Sequence, residues 1–225
     1  MRMLLALLLV IAAGIGAIYQ ATDGYAVVTT EAARRLSIAH SARELPATTI
    51  ELTSARKLSL ADELRQDGRV VIVDFIYTRC TSLCSIQGNE FQKLQSTIQA
   101  DGLQKQIRLL SISFDSYDQP AQLTAYAKQM KADPALWQFV GIPNSVERQA
   151  LLDSVGITVI PAPLGEFQHN AAYHVITPDG KLTRIVDYDE PRLALKLARD
   201  ISGGLNSGIT AVGQAPVAAP VAGRS

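Results

Sequence analysis

The chain opens on an uninterrupted apolar run, MLLALLLVIAAGIGAIY over Met3–Tyr19, and no charged side chain occurs between Met3 and Thr22. At 1.5 Å per helical residue such a run nearly crosses a hydrocarbon layer about 30 Å thick. Residues 1–22 are therefore predicted to be a membrane anchor. Arg2 and the amino terminus carry the positive charge expected on the cytoplasmic side, which sends the remainder outward. A cleaved signal peptide is the alternative, with Gly14-Ile15-Gly16 as a small-residue cleavage site, although no A-x-A follows the run and no cysteine there carries a lipid. Both readings export the domain to an oxidising compartment. Residues 23–48 alternate polar and small side chains and read as a spacer with one helical turn near Glu31–Leu36.

The folded part is predicted to span 49–202. Thr49–Leu52 reads as a short strand and Leu58–Leu64 as a first helix. Val70–Tyr77 (VVIVDFIY) and Ile107–Phe114 (IRLLSISF) are apolar runs rich in β-branched residues, the pattern of strands buried on both faces. Between them, Phe91, Leu94, Gln95 and Ile98 fall at helical spacing within Ile86–Ile98, and Asp101-Gly102 stops the helix. Pro120 opens a helix to about Met130, Trp137–Ile142 can form a strand, and Val146–Val155 is a helix stopped by Gly156. Ile157–Gly165, broken by Pro161 and Pro163, is predicted as a loop after a short extended piece. Tyr173–Thr177 and Leu182–Val186 flank Pro178-Asp179-Gly180, a hairpin signal, because Asp-Gly supplies the positive φ such turns need. A final helix covers Pro191–Ile201, and 203–225 collapses to Gly, Ala, Val, Pro and Ser, a composition predicted to stay disordered.

Alternating strands and helices followed by an antiparallel hairpin and a terminal helix give an α/β class with a central mixed sheet flanked by helices. This is the element order of a thioredoxin-like domain, here with an N-terminal transmembrane anchor. Composition narrows the function. Lys+Arg and Asp+Glu both number 21, so the chain has no net charge with which to hold nucleic acid. The only cysteines are Cys80 and Cys84, too few for a disulfide-stapled scaffold, so their role is expected to be chemical.

Cys80 follows a buried strand directly, and Cys84 lies at the mouth of the next helix, where unsatisfied N–H groups favour thiolate over thiol. Arg79 adjoins the pair. The spacing C-T-S-L-C is one residue longer than the C-x-x-C of thiol–disulfide oxidoreductases, and it lets both sulfurs face a common exterior point. A structural disulfide closing so short a loop would stabilise little. Of the three histidines, His40 sits in the polar spacer and His174 inside a strand, where surface and structural roles suit them. His169, in the polar loop GEFQHN before the hairpin, is the candidate third ligand, since in a thioredoxin-like sheet that loop lies beside the first cysteine loop. Two thiolates and one imidazole form a soft site of low coordination that favours Cu(I) and also accepts Cu(II). Zinc would want a fourth ligand and hydrolytic chemistry, for which no carboxylate–histidine arrangement is evident.

Four segments carry a resemblance to the Sco/SenC family: Val73–Cys84 (VDFIYTRCTSLC), Leu109–Asp115 (LLSISFD), Trp137 with Phe139-Val140-Gly141, and Phe167–Val175 (FQHNAAYHV). The similarity covers about residues 45–202. It places the family's paired cysteines on Cys80 and Cys84 and its ligand histidine on His169. The chain departs from the family in having Thr81 and Ser85 where proline often follows each cysteine, Gln168 where aspartate often precedes the histidine, and an abbreviated acidic segment, Asp115-Ser-Tyr-Asp118. Asp115 is the candidate for tuning the metal from behind its ligands, with a plain turn role equally open.

The resemblance implies a copper-binding metallochaperone that delivers copper to the binuclear copper site of cytochrome c oxidase subunit II, or reduces that subunit's cysteines. Its expected partners are subunit II, a periplasmic copper donor, a thiol reductant and the membrane. Its expected place is a bacterial inner membrane, held by a single N-terminal span with the domain in the periplasm. No enzymatic turnover is needed. The alternatives are a periplasmic thiol–disulfide reductase using Cys80 and Cys84, a redox or copper sensor sharing the site, and a peroxidase of thioredoxin fold.

Overall fold

The computed structural model describes the backbone of residues 2–21, 29–79 and 83–212, with all their side chains except those of 21, 83–87, 164 and 206–212. Helix α1 (Arg2–Ala21) is exposed along its length and contains a window, Arg2–Gln20, of mean hydropathy 2.2 that is long and apolar enough to cross a membrane. The domain then runs α2 (Thr30–His40), β1 (Arg43–Glu44), β2 (Thr49–Leu52), β3 (Lys57–Ser59), α3 (Leu60–Asp67), β4 (Val70–Ile76), α4 (Leu83–Ala100), β5 (Ile107–Ser113), α5 (Pro120–Gln129), β6 (Trp137–Gly141), α6 (Ser145–Val155), β7 (Val159–Pro161), a 3-10 turn (Pro163–Gly165), β8 (Phe167–His169), β9 (Ala172–Ile176), β10 (Lys181–Asp187) and α7 (Pro191–Val212).

Eight strands form one mixed sheet in the order β1-β10-β9-β4-β5-β6-β2-β3. The two apolar runs take its middle. β4 pairs parallel with β5 from Val70↔Ile107 to Ile76↔Ser113, and every residue of both strands is buried. On its other side β4 pairs antiparallel with β9, with Val73 opposite His174. Burial on both faces follows from helices above and below. On one face Phe91 of α4 lies against Trp137 and Tyr173, at ring-centroid distances of 5.4 and 5.5 Å, and α7 packs beside α4. On the other face His174 Nε2 meets the carbonyl of Val155 at the end of α6. The β9–β10 hairpin turns where Asp-Gly predicts it, with Gly180 at φ +82°.

A buried ion cluster ties α3 to the sheet. Arg108 of β5 has a fully buried side chain that meets Glu63 at 2.5 Å and Asp67 at 3.1 Å. Glu63→Ala leaves that guanidinium with one carboxylate in place of two. The expected cost is about 3 kcal/mol, measured as a lower urea midpoint at unchanged m-value.

The structure departs from the sequence pattern in five places, one being that Arg43–Glu44, inside the predicted spacer, form edge strand β1 beside β10. Residues 30–40 form an eleven-residue helix rather than a single turn; it is capped by Thr29 Oγ1, buries Ile38 and packs on β10. Residues 57–59 are a strand, and the first domain helix starts only at Leu60. The Pro161–Pro163 segment is not a plain loop: β7 pairs with β8 as a two-stranded ribbon, Val159↔His169 to Pro161↔Phe167, so His169 ends a strand. Finally, α7 continues to Val212, past the predicted domain end at 202, and 213–225 lie outside the described residues.

Candidate metal centre

The site is built at the carboxyl ends of β4 and β5, the edge of an open α/β sheet where crevices form. From Ile76 the chain continues as Tyr77-Thr78-Arg79 straight into Cys80. Asp118, buried after β5, clamps this approach. Its carboxylate accepts from the Thr78 N–H at 2.8 Å, the Thr78 hydroxyl at 2.5 Å and the Ser113 hydroxyl at 2.6 Å. Asp115 lies beside it with its side chain 1% exposed, accepting from Arg79 Nη2 at 2.7 Å and from the Tyr117 N–H at 2.9 Å. Arg79 in turn lies over the Tyr117 ring, 5.2 Å from its centroid, and against Gly165, whose φ of +76° and lack of a Cβ allow that approach. Asp115 thus holds Arg79. Asp118, which the sequence shows only as the end of the abbreviated acidic segment, holds Thr78.

His169 arrives from the other end of the chain on β8. Its half-buried ring packs edge-on against Tyr77 and Phe114, with centroids 6.0 and 5.0 Å away. Phe167 joins the same cluster at 5.2 Å from Tyr77 and 5.6 Å from Phe114. The Tyr77 hydroxyl donates to Glu166 at 2.7 Å, tying the segment before β8 to the end of β4. The ring's Nδ1 lies 2.9 Å from the carbonyl oxygen of Asn170.

Of the residues the sequence singles out, Cys80 lies outside the described residues. Cys84 stands in the first turn of α4, and its side chain is not described. Among the described residues no three His, Cys, Asp or Glu gather to hold a metal. The structure does bring the histidine to Tyr77, at the end of the strand that precedes the first cysteine in sequence. Cys80 is three residues beyond Tyr77, a reach of about 10 Å for extended chain, and Tyr77 touches the His169 ring. A donor set of two thiols and one half-exposed imidazole fits a soft cation. His40 ends α2 in solvent. His174 is fully buried, its Nε2 is 3.1 Å from the Val155 carbonyl, and burial pushes its pKa down to about 4, so the ring is neutral and structural.

One titratable group escaped the sequence reading. Asp74, in the middle of β4, is 1% exposed, and neither carboxylate oxygen has a hydrogen-bond partner among the described residues. Burial pushes its pKa up to about 7; the nearby Ser111 hydroxyl and His169 only partly oppose this. Asp74 stands opposite Ser111, whose oxygen takes the Trp137 indole N–H at 2.9 Å, so its carboxyl belongs to the layer beneath α4. The Tyr173 hydroxyl on the neighbouring strand is also buried without a partner among the described residues, and burial raises its pKa. Hydrophobic patterning gives no warning of Asp74, since a single polar residue inside an apolar run leaves the strand signal intact.

Comparison with known proteins follows the same geography. The family model described as SCO1/SenC matches residues 51–203. A Bacillus subtilis (strain 168) protein described as a SCO1 protein homolog is 29% identical over 126 residues, which cover 54% of this chain and 63% of that protein. The chain thus matches somewhat less than two thirds of that curated relative's length. Among solved structures, BsSco, described with a disulfide switch and as a member of the Sco family of cytochrome c oxidase assembly proteins, superposes with a TM-score of 0.61 at 23% identity, covering 72% of this chain and 95% of that one. Arabidopsis thaliana ScoI, solved with copper bound, gives a TM-score of 0.58 at 14% identity over 70% of this chain and 97% of that one. The likeness establishes the mixed thioredoxin-like sheet.

Proposed function

Because the chain belongs to the SCO1/SenC family, we propose that it is a metallochaperone whose cargo is copper, held by Cys80, Cys84 and His169. The observation that carries this reading is the contact of the His169 ring with Tyr77, three residues ahead of the first cysteine. The dithiol takes up Cu(I) as thiolates and releases its protons. Cys84 stands in the first turn of α4, and the partial positive charge of a helix start favours thiolate over thiol. A site of only three ligands, one of them the half-exposed His169, hands its ion to a partner by ligand exchange. The destination is the binuclear copper site of cytochrome c oxidase subunit II, and α1 tethers the domain to the bacterial inner membrane on its periplasmic side. Asp115 acts from behind, by fixing Arg79 next to Cys80.

The pair of closely spaced thiols between a buried strand and a helix start also suits a second use, reduction of a partner's disulfide. A thiolate of Cys80 or Cys84 attacks the partner's disulfide, one partner sulfur leaves as thiolate, and the second cysteine resolves the mixed disulfide. The partner then holds two thiols and the chain a disulfide, so a thiol reductant must restore it.

Titration of the reduced full-length chain in detergent with Cu(I), against a chromophoric competitor, tests the chaperone reading. The chain is expected to bind a single copper that the Cys80→Ser/Cys84→Ser double variant does not hold. Equal retention by the double variant would sink the proposal.

A further inference from the structure

We propose that Asn170 is the positioning residue of the metal centre, setting which nitrogen of His169 is offered to the metal; this rests on the copper reading above. The His169 Nδ1 lies 2.9 Å from the backbone carbonyl of Asn170. A carbonyl oxygen only accepts, so Nδ1 carries the proton and the lone pair of the neutral ring is on Nε2. This contact exists because the Asn170 peptide is held in place by its own side chain. The Asn170 amide nitrogen donates to the carbonyl of Gly156 at 2.8 Å, and its amide oxygen accepts from the Thr158 N–H at 2.7 Å.

The far side of this bracket is rigid. Gly156 ends α6 at φ +77°, with its N–H bonded to the Leu152 carbonyl. Its carbonyl also accepts from Arg34 Nη2 of α2 at 3.3 Å, and the Arg34 guanidinium fills the space a Cβ at Gly156 would need. One carbonyl therefore receives both Arg34 and Asn170. Val159, one residue beyond Thr158, is the ladder partner of His169 across β7–β8. The residue before Val159 and the residue after His169 are thus locked by a side chain, in addition to the ribbon's own pairing. A metal-binding imidazole normally has its second ring nitrogen fixed by such an acceptor. Here the acceptor is a main-chain carbonyl whose place depends on the Asn170 amide.

The test is nitrogen NMR of the imidazoles in the full-length chain without metal, at about pH 8.5, where neutral rings are observed, with Cu(I) affinity measured alongside. In the wild type His169 is expected to be protonated at Nδ1. In Asn170→Ala its two nitrogens should move toward averaged shifts as the tautomers mix, while His174, bonded through Nε2 to Val155, reports an unchanged fold. Copper affinity in this variant should fall about 10–100-fold. Asn170→Asp keeps the acceptor for Thr158 but sets a carboxylate oxygen against the Gly156 carbonyl, so it should lie between wild type and alanine. A wild-type proton on Nε2 of His169, or a tautomer unmoved by Asn170→Ala, overturns the proposal. If the tautomer pattern is as expected but no copper binds to any form, the positioning role stands and the copper reading fails.

Discussion

Replacing His169 by alanine is expected to weaken Cu(I) binding by at least about a hundredfold, because loss of a residue that only supports a ligand already costs about 10–100-fold and here the proposed ligand itself goes. The ring is half-buried and packs on Tyr77 and Phe114, so the variant also loses two aromatic contacts and folding must be checked by its thermal midpoint. The discriminating measurement is dithiol exchange. Cys80 and Cys84 keep their place after β4 and at the mouth of α4, so reduction of a model disulfide should continue at close to the wild-type rate. Metal affinity and exchange should therefore separate. Copper binding unchanged in His169→Ala would end the three-ligand reading, and an equal collapse of both activities would point to a thiol-activating role for the imidazole.

The second large effect concerns stability. Asp74 holds its proton up to about pH 7 in the folded chain, against about 3.9 for an unfolded aspartate. Between those values the unfolded chain has released a proton that the folded chain keeps, so stability falls as pH rises through this window and levels off above it. Roughly three units at about 1.4 kcal/mol each set an upper bound of about 4 kcal/mol. The Asp74→Asn amide stays neutral throughout. From about pH 4 to about pH 8, urea unfolding should therefore show the wild type losing about 2–4 kcal/mol more than the variant. Buried His174 acts in the opposite sense: its folded pKa of about 4 lies below the imidazole value of 6.5, so its contribution is lost as pH falls from about 6.5 toward 4, equally in wild type and variant. Parallel pH profiles for wild type and Asp74→Asn would show that the carboxyl finds compensation on ionisation.

How far the fold could be read from the chain depends on what each element's pattern reports. β4 and β5 were legible because strands covered on both faces need unbroken apolar runs. Helix α6 was legible at its C-terminal end, where Gly156 stops it at positive φ, while its Asn144 cap, accepting from Val146 and Glu147, emerged only in the structure. Helix α2 was not. Among its residues only Ile38 is buried, and its docking relies on Arg35 reaching Asp187 at 2.7 Å and Arg34 reaching Gly156, partners remote in sequence. The β7–β8 ribbon was hidden for a different reason. Two prolines read as a loop, yet in a two-stranded ribbon each strand has an unpaired edge, where proline's missing N–H is tolerated.

At the site the division is similar. The sequence by itself determined the chemical inventory: a pair of closely spaced thiols after a buried strand, three imidazoles among which only one lies in a polar segment near the hairpin, and an apolar leader long enough to cross a membrane. It also determined which faces must be buried, because period and composition act over a few residues. Only the tertiary structure decided that His169 meets Tyr77, that Asp115 holds Arg79 while Asp118 holds Thr78, that Asp74 is buried in mid-strand with no hydrogen-bond partner among the described residues, and that Asn170 brackets the histidine loop onto α6. Each of these joins residues from different elements. Their meeting depends on strand register and loop path, which are set by burial of the whole sheet and are not encoded in any local window.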